Sequence, residues 1–163
     1  MASLYILATG GTFDKRFDEE KGVLVLGESL LPDLIARARV TVPYILDTLF
    51  PIDGYVMTEA DRQRVVSACR ARQETRILIV HGTDTICETA KALGHAKLPQ
   101  TVVLTGAMMP YETEPSNAAF NFGAALASVQ LLPPNIYVAM NGNVFTWDNV
   151  RKNGEKRTFE TLH

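Results

Sequence analysis

The strongest constraint on this chain is the rhythm of its apolar residues. Short runs rich in β-branched side chains alternate with stretches whose apolar positions recur every three to four residues. Leu4-Tyr5-Ile6-Leu7-Ala8 reads as a first strand, and Leu31, Leu34, Ile35 and Ala38 share a helical face, with Pro32 tolerated in its first turn. Val42 to Leu46 is the next predicted strand, and Pro43 restricts it to an edge or to a late start. Thr58 is placed to cap a helix with Asp61 in its first turn and Val65, Val66 and Cys69 facing inward. Arg76 to Val80 is a strand, and Ile86, Ala90 and Leu93 mark a helix for which Gly94 suits the exit. Thr101 to Thr105 is another strand, Ala119, Phe122, Leu126 and Val129 form a helical stripe, and Asn135 to Met140 closes the series. Continuously apolar strands separated by helices are the pattern of a parallel sheet covered on both faces. The predicted fold is therefore α/β, three-layered and mostly parallel, of the doubly wound Rossmann- or flavodoxin-like kind.

Composition narrows the function classes. The 163 residues correspond to one domain, and 47% hydrophobic against 21% charged residues is ordinary globular balance. A net charge of −2 provides no basic excess for a nucleic-acid backbone, and no apolar run approaches the roughly 18 residues of a membrane span. The run Leu4 to Ala8 lacks a basic leader and stops at Thr9-Gly10-Gly11, so a cytoplasmic protein is expected. Cys69 and Cys87 fall on predicted helices as small hydrophobes of a reducing compartment, and His81, His95 and His163 sit in no metal-ligand motif. No metal or cofactor is expected. Two segments stand outside the rhythm: Phe13 to Glu28, polar and glycine-spotted, and the charged, weakly periodic Asn149 to His163.

Ligands of open parallel sheets bind beyond the carboxyl ends of the strands, where the strand order switches. Three predicted strands run into small, hydroxyl-rich turns there: Thr9-Gly10-Gly11-Thr12-Phe13-Asp14, His81-Gly82-Thr83-Asp84-Thr85, and Thr105-Gly106-Ala107-Met108-Met109-Pro110. Glycines allow close backbone approach and expose N–H groups suited to an anion or an oxyanion. Taken singly, each is also an ordinary strand-to-helix turn, and Thr83-Asp84 also fits a helix cap. Their recurrence on one sheet edge is what points to a shared site. No Gly-x-Gly-x-x-Gly follows a strand, Lys15 lacks the Ser/Thr of a phosphate loop, and no Gly-x-Ser-x-Gly elbow is present. What remains is a threonine nucleophile, which needs a proton-accepting neighbour; Lys152 is a candidate for that partner.

These residues resemble a known family, the bacterial-type L-asparaginases. Thr9-Gly10-Gly11-Thr12 is similar to its first signature, His81-Gly82-Thr83-Asp84-Thr85 to its second, and Thr105-Gly106-Ala107-Met108 to the segment that follows. Met140-Asn141 through Lys152 resembles the stretch carrying the family's essential lysine. The resemblance is to the N-terminal catalytic domain. With Gly142 and Trp147-Asp148 the chain looks like the short single-domain branch, so one catalytic domain over 1–163 is expected, without the family's C-terminal domain. The resemblance implies Thr12 as nucleophile on the side-chain amide of L-asparagine, and Thr83, Asp84 and Lys152 as a second cluster, with Asp84 also on the substrate's α-ammonium. It implies substrate contacts from Gly11, Asp53, Gly54, Tyr55, Gly82 and Ala107, oxyanion donors among backbone N–H groups near Gly11 and Thr83, and a mobile lid over Phe13 to Glu28 that carries Phe17. A broader small-amide or glutamine hydrolase and a weakly active amino-acid-binding module are the alternatives.

The chain departs from the family at several points. Its lid segment has no tyrosine, and Phe17, the nearest aromatic, cannot transfer a proton. Gly54 stands where the family tends to have the serine that holds the substrate carboxylate, and Asn117 where an acidic residue is common. His81 is expected to orient its loop rather than act as a base, and Phe145 and Trp147 to serve packing or an interface. Asp18-Glu19-Glu20-Lys21 reads as a solvated loop face. An open site edge and the apolar Val144, Phe145 and Trp147 suggest a homodimer or homotetramer.

Overall fold

The computed structural model describes residues 4–163. In chain order the elements are β1 (Leu4–Gly10), β2 (Lys15–Asp18), β3 (Val23–Leu26), α1 (Leu31–Arg37), β4 (Tyr44–Ile52), α2 (Glu59–Arg70), β5 (Arg76–Val80), α3 (Ile86–His95), β6 (Thr101–Thr105), α4 (Ala118–Leu131), β7 (Ile136–Met140), β8 (Asn143–Thr146), β9 (Arg151–Asn153) and β10 (Thr158–Glu160). A six-stranded sheet runs in the order β4-β1-β5-β6-β7-β8. Its first five strands are parallel, and β8 returns antiparallel through the Asn141-Gly142 turn. Both turn residues have positive φ, 55° and 76°, the backbone that a two-residue hairpin of this hand requires. The other two sheets are hairpins, β2-β3 and β9-β10.

The layers follow from which side chains each strand sends to each face. Tyr5, Leu7, Ile77, Ile79, Val102 and Leu104 pack under α2 and α3. The alternate residues Leu4, Ile6, Leu78, Val80 and Val103 pack under α1 and α4. All residues of β6 and β7 are buried, as expected for central parallel strands. The three-layer α/β expectation is met, and the strand order is the flavodoxin-like one.

Four details differ from, or refine, what the sequence predicts. The strand predicted over Val42 to Leu46 begins at Tyr44 and runs to Ile52 on the sheet edge. Its late start follows Pro43, and Asp47 and Thr48 hide its second half because an edge strand keeps polar residues facing water. The inward residues of α4 are Ala118, Phe122, Ala125 and Val129, and Ala119 is exposed. That helix is apolar nearly all round, so periodicity alone does not choose its face. The cap at Thr58 is a full capping box: Thr58 Oγ1 accepts from the Asp61 N–H at 3.2 Å, and Asp61 Oδ2 accepts from the Thr58 N–H at 2.9 Å. Gly94, finally, is not the helix exit. α3 continues to His95, Lys97 takes the positive φ (51°), and the Trp147 indole lies directly on Gly94.

A Cβ on Gly94 would stand 2.2 Å from Trp147 Cδ2. Alanine ordinarily favours a helix interior by about 1 kcal/mol over glycine. Here the displaced indole outweighs that gain, and Gly94→Ala is expected to destabilise the fold by about 1–3 kcal/mol in urea unfolding. A stabilised variant would mean that the indole is not held by this contact.

Candidate active site

The strand order places the site. From β1 the chain crosses to β4 on one side and then to β5 on the other, so the order switches between β1 and β5. The loops leaving their carboxyl ends meet backbone to backbone. Gly11 has φ 85°, and a Cβ there would stand 2.5 Å from Gly82 Cα. A Cβ on Gly82 would stand 2.9 Å from the Gly54 backbone, and one on Gly106 2.3 Å from the His81 carbonyl oxygen. The loops after β1, β4, β5 and β6 therefore interlock through four glycines, and Thr12 and Thr83 each follow a glycine at the crossing. Buried hydroxyls brace the same edge: Thr9 Oγ1 donates to Val80 O at 3.0 Å and Thr105 Oγ1 to Ala139 O at 2.8 Å. The Gly11 N–H donates to Ile52 O at 3.0 Å and so is not free as an oxyanion donor.

Thr83 and Asp84 share one cation. Lys152 Nζ donates to Thr83 Oγ1 at 3.0 Å and to Asp84 Oδ1 at 2.7 Å. Neither residue caps α3: Thr85 holds the cap position without a side-chain cap bond, and its Oγ1 donates to Gly54 O at 3.0 Å. His81 is fully buried, and burial pushes its imidazole down to about 4, so the ring is neutral near pH 7. Its Nδ1–H donates to Gly82 O at 2.8 Å, which leaves Nε2 to accept from the Thr89 hydroxyl at 2.8 Å. Both nitrogens are engaged in holding the signature loop.

Lys152 reaches this edge from an element that the sequence pattern does not announce. The charged stretch Asn149 to His163 folds into the β9-β10 hairpin, in which Lys152 pairs with Phe159. Phe159 and Val150 are buried in the core, which docks the hairpin. These two apolar residues spaced among charges are the available signal. Arg151 and Lys156 stay largely in water and face Glu160.

The segment Phe13 to Glu28 forms a second hairpin, β2-β3, clasped at its base. Asp14 is buried and accepts from the Leu30 N–H at 2.8 Å and from Ser29 Oγ at 3.3 Å. Lys15 Nζ lies 2.6 Å from Asp53 Oδ2, tying the hairpin to the loop after β4. Phe17 pairs with Leu24 and is 63% exposed. Of the remaining expected contact residues, Gly54 is buried against Gly82, Tyr55 is 79% exposed, and Ala107 is buried toward α4. Asn117 Oδ1 accepts from the N–H groups of Met108 and Met109, at 3.1 and 3.4 Å. A cavity of about 690 Å³ opens beside Asp84 and Lys152, bordered by Tyr55 and Met108; Thr83, bonded to Lys152, is 3% exposed and does not line it.

Burial pushes the Asp14 carboxyl up to about 6, against the pull of the Leu30 and Ser29 donors. The folded protein thus binds this proton more tightly than the unfolded chain. The group's contribution to stability is intact at low pH and is lost as the pH rises from about 4 through about 6. Asn at this position keeps an acceptor for Leu30 without the charge. Between about pH 4.5 and pH 7, Asp14→Asn is expected to gain on the parent by about 2 kcal/mol in urea unfolding. A difference that does not change with pH would contradict this.

A family model described as Asparaginase, N-terminal, matches residues 3–161. A glutamyl-tRNA(Gln) amidotransferase subunit from Aeropyrum pernix is 32% identical over 149 residues, which are 85% of this chain and 35% of that protein. L-asparaginase of Thermococcus kodakarensis is 38% identical over 78 residues, 47% of this chain and 24% of that protein. The solved thermostable L-asparaginase from Thermococcus kodakarensis superposes with a TM-score of 0.86 at 27% identity, covering 98% of this chain and 51% of that one. The chain thus spans 35% of the length of the Aeropyrum pernix relative and about half of the solved one.

Proposed function

The chain belongs to the asparaginase family, and from that premise we propose that it hydrolyses L-asparagine to L-aspartate and ammonia through a threonine acyl-enzyme. The Thr12 hydroxyl attacks the side-chain amide carbon. The C–N bond breaks, the amide nitrogen leaves as ammonia with the hydroxyl proton, and aspartate remains esterified to Thr12. Water then cleaves the ester and restores the hydroxyl. Thr83, with Lys152 donating to its oxygen, lowers the cost of negative charge at that hydroxyl or at water bound to it. Asp84 holds the lysine and faces the substrate's ammonium. The observation that carries this reading is the contact of Lys152 Nζ with both Thr83 Oγ1 (3.0 Å) and Asp84 Oδ1 (2.7 Å), one residue from the Gly11–Gly82 crossing.

Ammonia release from millimolar asparagine, measured beside Thr12→Ala, is the test. Equal release by both proteins overturns the proposal, and asparagine binding without release favours an amino-acid-binding module. Lys152→Met is expected to cut turnover by about 10²–10⁴-fold, as for a lost acid–base group. Lys156→Met, at an exposed position in the same hairpin, is expected to leave it unchanged.

One observation favours a broader amide substrate. A Cβ on Gly54 would touch Gly82 Cα at 3.4 Å and Asp84 Cβ at 3.6 Å, so glycine spares the Asp84 side chain a neighbour that a serine would supply. A substrate one methylene longer than asparagine would gain from that missing neighbour. Gly54→Ser, whose Cβ meets only ordinary contacts, is expected to lower the glutamine-to-asparagine ratio of kcat/KM by about 10-fold, the scale set by one methylene in a pocket. An unchanged ratio would mean that position 54 does not border the substrate.

A further inference from the structure

We propose that Asn141 is a positioning residue for Lys152, setting the contact of the lysine ammonium with Thr83 through a closed path of hydrogen bonds, one strand pairing and one packing contact. The inference rests on the catalytic reading above for its kinetic consequence, not for its geometry. β9 lies outside the six-stranded sheet, so nothing in the sheet's own pairing sets the reach of Lys152. Directly across from Lys152, the Phe159 N–H donates to Asn141 Oδ1 at 2.9 Å. The Asn141 N–H donates to Asn121 Oδ1 at 3.2 Å, and Asn121 Nδ2 donates to Gly106 O at 3.0 Å. Gly106 in turn lies against His81 O and the Thr83 methyl, so close that a Cβ would stand 3.2 Å from Thr83 Cγ2. The path Thr83, Gly106, Asn121, Asn141, Phe159, Lys152 therefore ends where it began, at the 3.0 Å contact of Nζ with Oγ1.

Two features give the ring its rigidity. Asn121 is 1% exposed, and a buried amide with both ends bonded leaves little freedom for either partner. Asn141 is itself held in the left-handed region at φ 55° by the tight β7-β8 turn, which aims its side chain across at β10. The competing explanation is that asparagine is present only because this turn favours it at positive φ. The two accounts separate cleanly. Glycine satisfies the turn and removes the acceptor. Aspartate tolerates the turn and keeps the acceptor, the only part of the Asn141 amide used among the described residues. The Phe159 ring is 4% exposed and packs in the core, so the hairpin is expected to stay docked in both variants with only its fine placement changed.

Asn141→Gly is expected to lower kcat on asparagine by about 10- to 100-fold, the scale of an ångström-level misplacement, with KM little changed. Asn141→Asp is expected to restore most of that loss. A second readout does not depend on any substrate: the Lys152 side-chain methylene signal in a proton–carbon NMR spectrum, identified by its disappearance in Lys152→Met. It is expected to stand apart from the exposed lysines in the parent and in Asn141→Asp, and to move toward them in Asn141→Gly. Parent-like kcat and an unmoved signal in Asn141→Gly overturn the proposal, as does an aspartate variant that loses as much as glycine. If Asn141→Gly does not fold, Asn121→Ala breaks the same path one step earlier, a Lys152 signal moved toward the exposed lysines supporting the ring and a parent-like signal refuting it. If the parent releases no ammonia, the asparaginase reading fails while the NMR comparison still decides the role of Asn141.

Discussion

The site depends on backbone approaching backbone. Side chains at positions 11, 82 or 106 would put a Cβ 2.5, 2.9 or 2.3 Å from main-chain atoms of a neighbouring loop. Parallel strands deliver their loops to one edge but leave them about a strand spacing apart. Glycine removes the atoms that would keep them separate. Thr12 and Thr83 each come immediately after such a glycine, so both threonines leave the crossing from loops whose backbones touch. The central strands beneath, buried except at Arg76 and packed on both faces, give that edge a rigid base.

Around this crossing the polar groups are sorted by how much water they can lose. The deepest ones are neutral: His81, held uncharged by burial, and Thr9, Thr89 and Thr105, each bonded to a carbonyl or ring nitrogen. The ion pair of Lys152 and Asp84 sits further out, with both side chains about a fifth exposed. Full burial of such a pair costs more solvation than the attraction returns, unless every remaining valence is filled. Placement at the rim keeps the charges solvated on one side while the lysine faces the buried Thr83 hydroxyl on the other. The second ion pair, Lys15 with Asp53, follows the same logic at the base of the β2-β3 hairpin.

Legibility in the sequence tracks burial. β1, β5, β6 and β7 are readable because strands buried on both faces are written as unbroken apolar runs. The edge strand β4 is only half readable, since its exposed residues break the run at Asp47. The hairpin β9-β10 is not readable as strands, because a two-stranded ribbon with wet faces has no apolar period to betray it, while β3 is written as the apolar run Val23-Leu24-Val25-Leu26 but is obscured by the polar, glycine-spotted residues around it. α4 fails in the opposite sense: with apolar residues on every side, its inward face is chosen by the sheet. Gly94 misleads for a related reason, since a glycine near a helix end looks alike whether it permits a left-handed exit or makes room for Trp147.

The α/β layering, the helix start at Thr58 and the three glycine-threonine turns on a common edge are written in the chain locally. Each of these is written in local periodicity, capping chemistry or residue type within a few positions. That Gly11 lies on Gly82, that Lys152 spans 69 positions to Thr83, and that Asn141 reaches Phe159 across 18 emerges from packing alone. Those contacts are set by strand order and by how a hairpin docks its one buried ring. They come from the packing of whole elements, and no local pattern of side chains encodes the distance at which two such elements come to rest.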